Sequence, residues 1–240
     1  MAVIQCSREH PLRAAPLPIM AVVVNGDVID GRQQAQRGTE LALPMLEDQS
    51  AAAEQCLLRL KAGLNSKPKW YFTQGTEYHD SKAGREVEVV ARALRATPYI
   101  GLGTGRYCRE VLDLEIDGVV CNFAHGISVS GGLYRATSPD REAVWSAVAG
   151  KEGKMPKADA LVRSHAHYFT HVEHQTKHAV ICPAWQLQTR FMRKNSVYRM
   201  LPDIGAILLW IDGEAKRRRE DGVYVNKILF DLLKIGTTKL

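Results

Sequence analysis

Met20 to Val24 is a short, unbroken apolar run that stops at Asn25-Gly26-Asp27, the pattern of a strand buried on both faces and closed by a loop. Leu46, Ala53, Leu57, Leu60 and Leu64 recur at helical spacing, so 46–64 is expected to be an amphipathic helix, with Gly63 and Asn65 at its end. Trp70 to Thr73 is strand-like. Val87, Val90, Ala91 and Leu94 form a second helical stripe, followed by Pro98. Two strands, 110–116 and 119–124, flank Asp117-Gly118, a two-residue hairpin signal. Ser138-Pro139-Asp140 carries the capping, first-turn and acidic signals of a helix start and predicts a helix to about Ala149. Strands are then expected near 159–163, 167–173, 178–182, 206–212 and 223–230. Residues 1–18 hold several prolines and no periodicity and read as an irregular lead-in. Helices fall early and strands late. Two packed sheets with helices outside would account for this order, and so would a single mixed sheet.

Length and composition narrow this only a little. A chain of 240 residues supports one good core, so residues 1–240 are expected to form a single domain. No apolar run approaches the ~20 residues that span a bilayer, and the first twenty lack the apolar segment of a signal peptide. Five scattered cysteines, none in Cys-x-x-Cys spacing, point to a reducing, cytoplasmic setting and no membrane partner. The net charge of +6 favours anionic partners such as phosphates or nucleic acid. The densest basic run, Lys216 to Arg219, is followed by Glu220-Asp221-Gly222 and reads as a solvated hairpin turn, with a phosphate-gripping tip as the minority reading.

The histidines change the picture most. Five of eight fall between His165 and His178, and His165-Ala166-His167 has the i, i+2 spacing that would put two imidazoles on one face where a strand ends. Asp27, His79, His125 and the 165/167 pair each follow a different predicted strand. Sites of open α/β sheets form beyond the carboxyl ends of strands, so four such residues converging on one rim describe a metal-dependent enzyme better than four unrelated histidines would. A mixed Asp and His donor set suits Mn, Fe or Zn rather than Ca or Mg. His171, His174 and His178 are expected in supporting or surface roles. Trp185 and Trp210 are expected in the core. Gly101-x-Gly103-x-Gly105 lacks the following helix of a dinucleotide site and reads as a flexible turn.

Four segments carry a resemblance. Gly26-Asp27-Val28-Ile29-Asp30 resembles the Gly-Asp-x-x-Asp motif of the calcineurin-like metallophosphoesterases. Ser164-His165-Ala166-His167 resembles their Gly-His-x-His, with serine for glycine. Ala124-His125-Gly126 is similar to the lone histidine preceding it, and Gly75-Thr76-Glu77-Tyr78-His79-Asp80 to a stretched Gly-Asn-His-Asp/Glu. Their order agrees with the family, from about residue 20 onward, and the look is that of its phage or prophage branch. The resemblance implies a four-layer α/β/β/α sandwich of two mixed sheets flanked by helices. It implies a hydrolase that cleaves a phosphate mono- or diester by attack of metal-bound hydroxide. Asp27 would bridge two divalent ions, His125 and His165 would hold one, and His167 the other. His79 would protonate the leaving oxygen with Asp80 tuning it from behind, and Asp30 would orient the loop.

Two departures from the family pattern keep other readings open. Nothing in residues 1–26 supplies the family's opening Asp-x-His, which would leave the first strand missing from a truncated product or a misassigned start, or make the chain a one-metal or inactive relative. The family's metal-ligating asparagine is also absent, with Glu77 the nearest oxygen donor and Thr76 and Tyr78 weaker ones. A degenerate member that binds metal or a phosphate ligand without turnover is therefore a second reading. A nucleic-acid-binding module is a third, disfavoured because no aromatics interleave the basic run.

Overall fold

The computed structural model describes residues 1–6, 18–34, 37–80, 84–99, 105–128, 134–195 and 201–231. Two mixed sheets face each other. The first has six strands in the order β11 (Val223–Phe230), β10 (Ile204–Ile211), β1 (Ala2–Cys6), β2 (Ile19–Asn25), β3 (Lys69–Thr73) and β4 (Cys108–Arg109). The second has five, in the order β5 (Val111–Ile116), β6 (Val119–Ala124), β7 (Ala160–Arg163), β9 (Lys177–Ile181) and β8 (Thr170–His174). Side chains alternate across each strand, and the inward set makes one core between the sheets. Ile4, Val23, Ile207 and Leu209 from the first sheet meet Phe123, Val162 and Val180 from the second.

The outward set is covered by helices. Val22, Trp70 and Phe72 pack against Val87 and Val90 of α3 (Arg85–Ala93), Leu94 just past its end, and Leu57 and Leu60 of α1 (Leu46–Gly63). Leu161 and Ala179 pack against Ala143 of α4 (Thr137–Lys151). The layers therefore run α/β/β/α, the expected sandwich. Three short helices complete it: α2 (Glu77–Asp80), α5 (Arg190–Asn195) and α6 (Gly213–Arg217). Among the described residues no helix is long and apolar enough to cross a membrane.

The lead-in departs from expectation. Its first residues form β1, a central strand whose Ala2 and Ile4 are fully buried. Five residues are too few for a period to show, and residues 7–17, with the rest of the lead-in and His10, lie outside the described residues. β1 runs parallel to β10 but antiparallel to β2, pairing Ala2 with Val23 and Ile4 with Ala21. Its carboxyl end therefore lies at the rim opposite the end of β2, and it is the start of β1 that faces the rim where Asp27 lies. The basic run departs too. Lys216 and Arg217 lie in α6, whose start is capped by Asp212 Oδ1 accepting from Ala215 N at 3.0 Å. Lys216 pairs with Asp159, Arg217 with Glu214, and Arg218 with Glu220. The predicted turn at Gly101 and Gly103 lies outside the described residues.

The short strand β4 is held from α3 by one carboxylate. Glu88 accepts from Tyr107 N at 2.9 Å, from Cys108 N at 3.1 Å and from Arg92 Nε at 3.0 Å. Burial alone would raise the Glu88 carboxyl, but these donors outweigh it and hold it below its ordinary 4.5. Glu88→Gln is expected to cost about 1–3 kcal/mol at neutral pH, because backbone N–H groups lose a charged acceptor. A depressed folded-state value means the contribution is complete above pH 4.5 and is lost as pH falls through the lower folded value. Urea unfolding of wild type and variant should accordingly converge toward pH 3 (roughly) and separate at pH 7.

Candidate metal centre

The site is assembled at the carboxyl ends of β2, β3, β6 and β7. β2 ends in Asn25, and the next two residues turn sharply through left-handed backbone, with φ of 77° at Gly26 and 49° at Asp27. Glycine is needed at 26, since a Cβ there would meet His125 Nδ1 at 2.4 Å. The turn aims Asp27 inward. Its Oδ1 accepts from Thr76 N at 2.7 Å and Thr76 Oγ1 at 3.0 Å. Its Oδ2 lies 2.8 Å from His125 Nε2.

The last pair of atoms is chemically informative. His125 Nδ1 lies 2.8 Å from the Asn25 carbonyl oxygen, which can only accept, so Nδ1 carries the hydrogen. In the neutral ring Nε2 then presents a lone pair to a carboxylate oxygen. Neither atom is engaged by any other group, and a protonated Nε2 would pair with Oδ2 as an ion pair. Two buried acceptors this close need a cation between them, either a proton or a metal ion. Burial opposes a charged His125 ring, yet the Asp27 carboxylate beside it lifts the ring above its usual range. Burial would raise Asp27 in turn, and His125 pulls it below. His165 completes a group: one ligand atom each from Asp27, His125 and His165 lies within 4.8 Å of the others. Burial and then the neighbouring His125 push His165 below the usual imidazole range, so it is a neutral ligand near pH 7.

The 165/167 pair is not arranged as its spacing suggested. β7 stops at Arg163, and both histidines lie in the loop beyond, at left-handed φ of 65° and 60°. The period-2 rule of a strand does not apply there. His165 is exposed and joins Asp27 and His125, whereas His167 stands outside that group with Nδ1 buried and unpartnered. Burial drives His167 down to about 4. Among the described residues the rim thus forms one three-ligand group, not two.

Three supporting roles also differ from expectation. Glu77 is exposed on α2 and outside the ligand group, and it is Thr76 whose N–H and hydroxyl reach Asp27. Asp80 does not back His79. It is 1% exposed and accepts from the backbone N–H of Gly75 (2.6 Å), Asp27 (3.1 Å) and Val28 (3.0 Å), tying two loops together. Burial, and then the charge of Asp27, raise Asp80 to about 6 against those donors. The Asp30 carbonyl, not Asp80, accepts from His79 Nδ1 at 2.9 Å, while Asp30 Oδ1 accepts from Gln186 Nε2 at 2.8 Å.

All these imidazoles line one cavity of about 1230 Å³ with Asp27. Its other walls include Leu57 and Leu60 of α1, Trp185, Leu187 and Arg190. Trp185, expected in the core, is 61% exposed and stacks obliquely on Phe230 at 5.5 Å. It follows the end of β9, the same rim position that singled out the histidines, and that signal could have found it. Asn25 and Ser164 were also missed, since both read as ordinary loop residues.

No family model matches the chain, and no curated protein matches it. Solved structures similar to it include a single mutant of Vps29 from Entamoeba histolytica, 13% identical, covering 96% of this chain and 99% of that one at a TM-score of 0.41. Wild-type Vps29 of the same organism complexed with zinc is 15% identical, with the same coverage, at 0.40. An archaeal phosphodiesterase is 12% identical over 73% of this chain and 76% of that one, at 0.38. Likenesses this distant leave the functional case to the side chains.

The bracing role of Asp80 is testable apart from any activity. Asp80→Ala strands three backbone N–H groups and should lower stability by about 1–3 kcal/mol or more, with a loss of divalent-metal affinity. Glu77→Ala should leave stability within about 0.5 kcal/mol, as for an ordinary surface change. Urea unfolding and metal titration read both.

Proposed function

We propose that the chain is a metal-dependent phosphoesterase related to the calcineurin-like metallophosphoesterases, with one divalent ion held by Asp27, His125 and His165. The observation that carries this is the convergence of Asp27, His125 and His165, with His125 Nε2 and Asp27 Oδ2 buried 2.8 Å apart and engaged by no other group. A bound ion satisfies both atoms, and His165 supplies a neutral third ligand from the exposed side, leaving room for substrate. Two imidazoles and one carboxylate suit Zn, Mn or Fe. When bound, such an ion supplies a Lewis acid for the phosphoryl oxygens and lowers the pKa of water.

The chain's own residues do the rest. His79 donates Nδ1–H to the Asp30 carbonyl, which leaves Nε2 as the atom that exchanges protons with the leaving oxygen. Thr76 and Asp80 keep Asp27 in its turn, so the carboxylate need not reorganise. The Trp185, Leu187 and Leu57 walls exclude water and suit the apolar part of a phosphate ester. A cytoplasmic setting agrees with the free Cys108, Cys121 and Cys182 thiols. Nucleic acid is the weaker candidate partner, because three cations of the basic run are already paired with acids.

The second reading, a binding protein without turnover, is favoured by the polarity of β1, which brings no Asp-x-His to this rim. Hydrolysis of an aryl phosphodiester with added Mn separates the two. His79→Ala should slow turnover by ~10²–10⁴-fold while metal content is unchanged. His165→Ala should lose both metal and activity, and activity that survives it intact would refute the site.

A further inference from the structure

Three residues of the histidine-rich stretch that the site leaves unused meet at the opposite rim. His171 and Glu173 are two apart on β8 and share a face, and Glu173 pairs directly with His178 of β9. One ligand atom from each of the three lies within 4.8 Å of the others. His178 pairs with Ala160, the first residue of β7, whereas Ser164 and His165 follow its last. The cluster is therefore a strand's length from Asp27 and independent of it.

His178 is the most informative member, at 2% exposed. Its Nε2 lies 2.8 Å from Asp221 Oδ2, and Asp221 Oδ1 accepts from Val223 N at 3.0 Å. A carboxylate accepts, so Nε2 carries the hydrogen and the Nδ1 lone pair of the neutral ring points away from Asp221. It points at His171 Nε2, 2.9 Å off, with the rings stacked at 19°. A ligating histidine commonly donates its other ring N–H to a carboxylate, which fixes tautomer and orientation.

We propose that His171 Nε2, His178 Nδ1 and a Glu173 carboxylate oxygen form a second divalent-metal site of zinc class, with Asp221 as the positioning residue. Two imidazoles and one glutamate are a known three-ligand zinc set that leaves a fourth position for water. Glu173 is exposed, so that position faces solvent. Tetrahedral ligands about 2.0–2.1 Å from zinc stand roughly 3.3 Å apart, so the rings need to part by about 0.4 Å and to tilt until both lone pairs converge on the ion. The ion would clip β8 to β9 within the edge hairpin, and Asp221, just before β11 of the other sheet, would hold the His178 ring toward it. Without metal, His171, His178 and Asp221 form a hydrogen-bonded relay.

The test is zinc and cobalt titration of the metal-stripped full chain against a competing chelator. Wild type should hold one equivalent more than His171→Ala, and that equivalent should survive in Asp27→Asn. Asp221→Asn should weaken it by ~10–100-fold, and Glu173→Gln, which alters only an exposed side chain, should weaken it too. Cobalt absorption of a histidine-ligated ion should persist in Asp27→Asn and vanish when His171→Ala is added to that variant. Equal stoichiometry and affinity in wild type, His171→Ala and Glu173→Gln would overturn the site, as would loss of all binding in Asp27→Asn.

Discussion

One buried amide holds the two sheets together at the candidate metal centre. Asn25 is 3% exposed, and its Oδ1 accepts from Thr73 Oγ1 at 2.7 Å. Its Nδ2 donates to the Ala124 carbonyl at 3.0 Å and to Ser164 Oγ at 2.9 Å. Its own carbonyl takes the Nδ1–H of His125. The ends of β2, β3, β6 and β7 are thus joined through one side chain, and the residues that follow them are Asp27, Thr76, His125 and His165. A polar residue this deep is tolerated only because its amide donors and acceptor are engaged. Without it, Asp27 on one sheet and His125 on the other would have no fixed separation, and the pair of facing acceptors would not exist.

Backbone conformation does the fine positioning. Gly26, Asp27, His165 and His167 all lie at positive φ, where only glycine is at ease. Three strained non-glycine residues in one rim must be held by their surroundings. The holding groups are visible for Asp27: Asp80 gathers the N–H groups of both loops, and Gly75 leaves space where a Cβ would sit 2.1 Å from Asp27 N. The cost of this geometry falls on the fold, and the return is a carboxylate that does not move when it meets a cation.

The outline of the sandwich was legible because apolar period and turn chemistry agree for most elements. The Asp117-Gly118 hairpin pairs Ile116 with Val119 as its signal required, and the α1 and α3 stripes cover the outer face of the first sheet. The centre was legible to the extent that chemistry-bearing residues follow strands. Side-chain direction was not legible. His165 and His167 were placed by strand periodicity, but the chain leaves the strand before reaching them. Asp80 was assigned to His79 from the family motif it resembles, yet this buried carboxylate is taken by the backbone donors of Gly75, Asp27 and Val28. Strand polarity was invisible as well, since Ala2–Cys6 reads the same whichever way it enters the sheet.

That polarity decides which residues reach the rim beside β2. A second ion beside the first would need ligands from a strand lying next to β2 and ending where β2 ends. β3 does so, and is followed by Thr76, whose hydroxyl donates to Asp27. β1 is the other neighbour, and it begins there instead, so the residue it places at the cavity is Met1. A thioether and a donated hydroxyl do not make a hard second site. His167 is then left as a neutral imidazole with one nitrogen buried and unsatisfied, free to take a hydrogen bond from a substrate oxygen's proton or from water. The rim therefore gathers one three-ligand group among the described residues, with the His167 imidazole beside it, and Arg190 and Arg193 line the same cavity.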